Sequence, residues 1–336
     1  FPPERSTSVP TKQPTATLQS PPSLDIGARS GLFRRVLGIV GVQNISLLMA
    51  ITLVVAVIGS QNPLFFTVGN LRVIGTAIAI SGLLAVVQTI VIIMGALDIS
   101  VGSIAGLTSV SSAMIFTATG PFIGVVGAVG IGMLCGLLNG CIIVFGRVNP
   151  VIATLATLAA YKGVAQLISD GRAQGYTGAE GFFVFLARGA VLGVPTLIWV
   201  LIVISVLAHV LLRYTSVGRN IYAVGGNDIA SRLAGININR YLIGVYVAAR
   251  TGSGQPVSGS EGLELEAITA AALGGAALKG GKGTIAGTIL AVILLGILTN
   301  GMTLLGVNSF WQNVAKGALL VVAVVIQQLR SGERRI

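Results

Sequence analysis

Few residues in this chain could do chemistry, and they are scattered. Asp98 is the one carboxylate embedded between two apolar runs, in GALDISVGS, with Ser100 two residues on. A charged Asp at the centre of a bilayer costs on the order of 2.5–3.5 kcal/mol on the insertion scale. Such a residue either meets a polar path or partner, or lies near the boundary and caps the next helix, here with Ser100 assisting. Acid–base catalysis needs a second titratable group within reach, and no carboxylate or histidine stands near Asp98 in sequence. Glu261, Glu264 and Glu266 come at the expected outer end of a later span. Asn139 and Asn300 are amides within apolar helices, in GLLNG and GILTNG. Amides so placed either hydrogen-bond a neighbouring helix or line a polar pathway. His209, the single histidine, has no partner at ligand spacing, and Cys135 and Cys141 point to different faces of one helix. No metal site and no disulfide are expected. Phosphate-loop ATP hydrolysis needs GxxxxGK[ST]. KGGKGT at Lys279–Thr284 comes nearest and lacks the spacing, so this chain is expected to bind no cofactor and to perform no covalent chemistry.

The elements that position these residues are membrane helices. The chain has 336 residues, 54% of them hydrophobic and 9% charged, against about 25% charged in a soluble domain. Several apolar runs approach the ~20 residues that cross a bilayer. The formal net charge of +11 sits mostly in short loops and tails, where it orients spans and faces anionic membrane lipid. No basic stripe is interleaved with aromatics, which excludes nucleic acid as a partner.

Residues 1–32 read as a disordered cytoplasmic tail. Six of the eleven prolines lie there among many Ser and Thr, a composition too poor in apolar side chains to offset the entropy of folding. Arg29, Arg34 and Arg35 then hold the N-terminus inside. The membrane domain is expected over 33–330, with spans near 36–58, 71–97, 99–118, 122–145, 150–168, 189–212, 263–278, 284–305 and 310–326, and a basic cytoplasmic tail at 331–336. Tyr241–Val247 is apolar but far too short to cross. With that seventh span completed, the count is about ten, and both termini lie inside as the charges require.

Gly124, Ala128, Gly132, Gly136 and Gly140 recur every fourth residue in the fourth span. They form a groove that lets another backbone approach closely, most simply within one subunit. Asn139 and Asn300 sit in similar surroundings: GLLNG is followed by FGRVNP and YKG, GILTNG by LGVNS and AKG. The two copies stand five spans apart and so run in opposite senses, as in transporters built from inverted-topology halves with the substrate path between them.

One polar loop stands out, RYTSVGRNIYAVGGNDIASRLAGININR from Arg213 to Arg240. It carries Arg213, Arg219, Arg232 and Arg240 against Asp228 alone, which places it in the cytoplasm. Gly226, Asn227, Asp228, Ile229, Ala230, Ser231, Arg232, Leu233, Ala234 and Gly235 read as one short capped helix. Asn227 or Asp228 takes the first-turn N–H groups, and Gly235 takes the left-handed turn that ends it. Ala230, Leu233 and Ala234 supply a small apolar face. Such a helix is either a handle for a soluble partner or an amphipathic connector on the lipid surface.

Four separated stretches, in order, resemble the bacterial carbohydrate ABC-transporter permeases of the ribose-importer type. They are GALDISVGSIAGLTS at Gly95–Ser109, GRNIYAVGGNDIASRLAGI at Gly218–Ile236, GLELEAITAAALGGAALKGGKGTIAGT at Gly262–Thr288 and LLGVNSFWQNVAKGALLVVAV at Leu304–Val324. The resemblance implies an all-α permease of the bacterial plasma membrane, working with a second copy or a paralogue. It implies a cytoplasmic ABC ATPase that binds ATP and magnesium, and an extracytoplasmic binding protein that delivers a monosaccharide. The helix at Gly226–Gly235 becomes the coupling helix that enters a cleft on the ATPase. The substrate path is expected between the halves, around Asp98, Ser100, Asn139, Glu266 and Asn300. Nucleoside and furanosyl-signal importers have similar permeases. An ion-coupled transporter would want paired intramembrane ionisable groups, and the chain offers Asp98. The family runs an unbroken seventh span where this chain has Tyr241–Arg250. A true deletion of about fifteen residues would reverse the topology of everything downstream, so residues are expected to be missing near 247–250.

Overall fold

The computed structural model describes residues 42–172, 174, 181, 185, 189–249 and 262–332. The expected tail at 1–32, positions 333–336 of the expected tail at 331–336, and the polar stretch 250–261 lie outside the described residues, while residues 331 and 332 continue the last helix.

The described chain is almost entirely helical: α1 (Val42–Gln61), a 3-10 turn (Pro63–Phe66), α2 (Val68–Ile93), α3 (Val101–Thr119), α4 (Pro121–Phe145), α5 (Pro150–Ser169), α6 (Thr196–Tyr214), α7 (Ser216–Gly226), α8 (Asp228–Leu233), α9 (Ile238–Ala248), α10 (Leu263–Leu273), α11 (Ile285–Leu304) and α12 (Ser309–Gly332). Seven of these, α1–α6 and α11, are long and apolar enough to cross a membrane among the described residues. Their outward faces carry exposed Leu, Ile, Val and Phe, as at Leu53, Phe122, Leu134, Ile152 and Leu207. A chain that presents such side chains to its surroundings needs lipid there.

Three of the helix ends that differ from the hydropathy reading do so for a backbone reason. The second span stops at Ile93 rather than running to 97. Gly95 N donates to Ile92 O and Ala96 N to Val91 O, with Gly95 at φ 83°. This paired closure needs a left-handed residue just past the helix. The eighth stops at Leu273 rather than 278 by the same device, with Gly275 N donating to Ala272 O and Ala276 N to Ala271 O. The sixth begins at Thr196 because Ala190–Val191 pairs with Val194–Pro195 in a two-residue hairpin. Leu192 and Gly193 both take positive φ at its tip, as that turn demands.

Helix α2 is the hub. Its sides pack against α6, α10 and α11. Elsewhere α3 packs on α4 and α5, α10 on α11 and α12, and α4 on α9. The small-residue line of α4 faces inward at Gly124, Gly132, Gly136 and Gly140, with Ala128 half-buried. A Cβ on Gly124 would strike the Phe116 ring of α3, and one on Gly140 would come 3.0 Å from the Ile243 Cα of α9. Helix α9 has 11 residues, about 16 Å of rise, half of a bilayer core.

Candidate functional site

The turn between α2 and α3 carries Asp98 and Ser100, both fully buried. Asp98 Oδ1 accepts from Ser100 N at 2.8 Å and from Ser100 Oγ at 2.6 Å. Ser100 Oγ in turn accepts from Asn139 Nδ2 of α4 at 2.8 Å. The Tyr161 hydroxyl of α5 lies 3.0 Å from both Asn139 Oδ1 and Cys135 O. Ile99 N donates to Thr154 Oγ1, and the Tyr246 hydroxyl of α9 donates to Leu97 O at 3.2 Å. A buried carboxylate is tolerated only where hydrogen bonds replace its hydration; two of these come locally from Ser100, which is itself held by Asn139 of α4. Asp98 folds the turn, and it belongs to a polar cluster that joins the α2–α3 turn to α4, α5 and α9. Ser100 stands at the N-cap of α3 without a capping side-chain bond, because its hydroxyl is committed to Asp98.

Of the expected pathway residues, Asp98, Ser100 and Asn139 are brought together. Glu266 and Asn300 are not part of that cluster. Glu266 Oε2 pairs with Lys316 Nζ of α12 at 3.0 Å, mostly shielded on both sides. Asn300 and Asn70 exchange amide hydrogen bonds at 2.8 and 3.1 Å between α11 and the start of α2. Sequence reasoning missed Tyr161, Lys316 and Asn70 as partners, since nothing local links residues this far apart. It also missed Gln88 of α2, which is fully buried, with neither amide atom hydrogen-bonded among the described residues. Its signal was the lone amide in LLAVVQTIVII. A cavity of about 570 Å³ opens between α2, α6, α7 and α9, walled by Val87, Ile90, Leu211, Ile221 and Val245 with Arg240 and Tyr241 on its lining. None of the expected pathway residues lines it.

The second part of the site is α8. Asn227, rather than Asp228, is its cap: Asn227 Oδ1 accepts from Ala230 N at 2.9 Å. Gly235 closes it at φ 81°, its N–H donating to Arg232 O and that of Ile236 to Ser231 O. Only Ser231 turns inward, at 4% exposure; Ile229 and Leu233 stand out at 68% and 85%. The apolar face thus points away from the protein.

Behind α8, three backbones meet with no side chain between them. Gly281 N, in the loop after α10, donates to Ile93 O at the end of α2 at 2.7 Å. Gly225, at the end of α7, lies against both: a Cβ there would overlap Ile93 O and come within 2.7 Å of Gly281 N. Gly280, at φ 87°, would with a Cβ meet Gly225 O at 2.6 Å and Gly95 Cα at 2.7 Å. A Cβ on Gly226, one residue on, would meet nothing within 4 Å. The Tyr222 hydroxyl reinforces the contact by donating to Gly283 O at 2.8 Å. Burial pushes the pKa of that phenol above its ordinary value, with Arg213 acting in the opposite direction, so the donor proton is retained at neutral pH.

Residues 70–324 match the family described as branched-chain amino acid transport system / permease component. The chain is 36% identical to the ribose import permease protein of Escherichia coli over 295 residues, covering 83% of this chain and 92% of that one. It is 35% identical to the ribose import permease protein of Bacillus subtilis over 303 residues, 86% and 94% of the two chains. The L-arabinose ABC transporter permease protein of Azospirillum brasilense is 35% identical over 338 residues, 96% and 97% of the two chains. No solved structure matches.

Proposed function

Since the chain belongs to this family of permease components, we propose that it is the membrane subunit of an ATP-driven ABC importer for a monosaccharide. It is a multi-pass membrane protein, and its relatives named for ribose and L-arabinose import span nearly its whole length. ATP is bound and hydrolysed with magnesium by a separate cytoplasmic ATPase, an extracytoplasmic binding protein delivers the sugar, and two permease chains form the pore.

The observation that carries this reading is the placement of α8. A capped helix presents Ile229 and Leu233 outward and stands on a joint where α7 touches the end of α2 and the loop after α10. Apolar side chains held away from the protein suit insertion into a partner's cleft, and the partner can bias the two arrangements of the permease because it binds them unequally. Gly226–Gly235 is the coupling helix in this reading. The packing also supports two inverted halves, α2–α5 and α9–α12. In the first, α3 contacts α4 and α5, and in the second α10 contacts α11 and α12; across the halves, α4 meets α9 while α2 meets α11. The substrate path runs along this seam, with Asp98, Ser100 and Asn139 contributed by the first half and Glu266 and Asn300 by the second.

A complete α9 belongs to the ten-span architecture, and the alignment lengths are in keeping with residues missing from the chain. The 295 aligned positions exceed 83% of 336 residues, about 279, by about sixteen.

Co-purification in mild detergent tests the function. With 228–233 intact an ATPase subunit comes down with the permease; with those residues replaced by a Gly/Ser linker it is lost. Absence of an ATPase from both samples, with solute movement in liposomes under an ion gradient, would sink the reading.

A further inference from the structure

Gln88 of α2 is a buried polar group, at 0% exposure, and among the described residues neither its Nε2 nor its Oε1 has a hydrogen-bond partner. Native interiors pair nearly all such groups, and each exception calls for a reason. The neighbouring polar residues of α2 are satisfied. Thr89 Oγ1 donates to Ala85 O and shares a 2.8 Å bond with Thr288 of α11, and Ser81 Oγ donates to Ala77 O.

The helical repeat fixes where Gln88 looks. Residues three and four apart share a face, so Gln88 lies on the side of α2 that bears Ser81, Leu84, Ala85 and Ile92. Leu84 and Ala85 share a cluster with Ala267 and Ala270 of α10, Val101 of α3, Leu47 of α1 and Ala291, Val292 and Leu295 of α11. Ile92 packs with Ala271 and Ala276. Gln88 therefore stands between these two contacts, in the seam where α2 of one half meets α10 of the other. The α10 residues in these two clusters, Ala267, Ala270 and Ala271, offer no hydrogen-bonding side chain, and the Thr269 hydroxyl of the same helix donates to Leu265 O.

We propose that Gln88 is a substrate-contacting residue of the translocation seam, whose amide hydrogen-bonds the hydroxyl groups of a neutral polyol such as a monosaccharide when α2 and α10 part. The inference rests on the importer reading and deepens it. A carboxamide suits this ligand class: it offers two donors and an acceptor, carries no charge, and so matches alcohols of either polarity. An orphaned amide disfavours the closed seam, and wetting or sugar relieves it. Opening is thereby favoured without a fixed binding charge that would hold the sugar too tightly to release.

The test uses the complete complex with its ATPase and binding protein. Labelled pentoses and hexoses are screened on the wild type, and the sugar it takes up is carried forward. Gln88→Met keeps length and volume and removes both hydrogen-bonding atoms. The expected result is a melting temperature at or above that of the wild type, unchanged ATPase co-purification, and uptake reduced about tenfold or more, as when a site loses a hydrogen bond to a substrate hydroxyl. Gln88→Asn, which keeps the amide, restores part of the uptake. Wild-type uptake by Gln88→Met overturns the proposal. So does a clear fall in its melting temperature, which would show the amide to be bonded in the closed state. Failure of the wild type to recruit an ATPase or to move any sugar overturns the importer reading itself, and is separable because it does not involve the variant.

Discussion

The glycine joint and the Asp98 junction lie within a few residues of each other along α2, yet they are built on opposite plans. At the joint, Gly95, Gly225, Gly280 and Gly281 bring three backbones together with nothing between them. At the junction, four side chains from three elements are strung from Asp98 through Ser100 and Asn139 to Tyr161. A side-chain chain can lose one member and relax around the loss. Backbone atoms in contact have no rotamer to yield, so displacement of α7 passes undamped to α2 and to the loop after α10. The joint is suited to transmit motion, and the junction to hold the α2–α3 turn in shape while it moves.

The largest expected effect separates the two glycines at the end of α7. Gly225→Ala forces Ile93 and Gly281 apart and lowers ATP-driven uptake in proteoliposomes by at least about tenfold, because packed interiors transmit rather than absorb such an insertion. Gly226→Ala, with open space around its new methyl, stays within about twofold on the same argument. Equal losses in both would reduce the joint to ordinary helix-end chemistry.

An intermediate effect sharpens the junction. Asp98→Ala removes the acceptor of two hydrogen bonds and leaves a buried Ser100 N–H exposed to no water, costing about 2–3 kcal/mol. Glu266→Ala frees a partly exposed Lys316 and costs about 1 kcal/mol or less. Thermal unfolding in detergent orders the two, and uptake assays follow. Unchanged uptake and assembly in both variants would remove them from the pathway.

The smallest effect concerns Tyr222. Its phenol is shifted above the ordinary value of 10.0 by burial, Arg213 acting against that shift. The neutral donor to Gly283 O thus contributes fully below pH 10, and its stabilisation is lost as pH rises through the higher folded-state value. Tyr222→Phe should melt lower than the wild type at pH 8, by the equivalent of about 1 kcal/mol. The gap should narrow above pH 10, and a gap that is constant with pH would show the hydroxyl to be irrelevant.

Much of the fold was legible because hydropathy and capping are local. The apolar runs located the long helices, and Asn227 or Asp228 with Gly235 marked both ends of α8, the structure choosing Asn227 as the cap. Hydropathy could not show where α2 and α10 stop, since Met94, Ala96 and Leu97, like Ala276 to Leu278, are as apolar as the helices they follow. The turns come from backbone hydrogen bonds around Gly95 and Gly275. Asn139 and Asn300 look alike in sequence, yet one joins a fully buried cluster and the other pairs with Asn70 nearer the surface.

By itself the sequence determined that this chain lives in lipid and that one of its polar loops carries a capped helix. Burial of apolar area and satisfaction of helix-end N–H groups depend on neighbours within a few residues. Only the tertiary structure decided that Asp98 meets Asn139 and Tyr161, that Gly225 rests on Ile93 and Gly281, and that Gln88 is enclosed without a partner. Those outcomes depend on which helix faces lie together across 39, 132 or more residues of chain, and no local pattern encodes that choice.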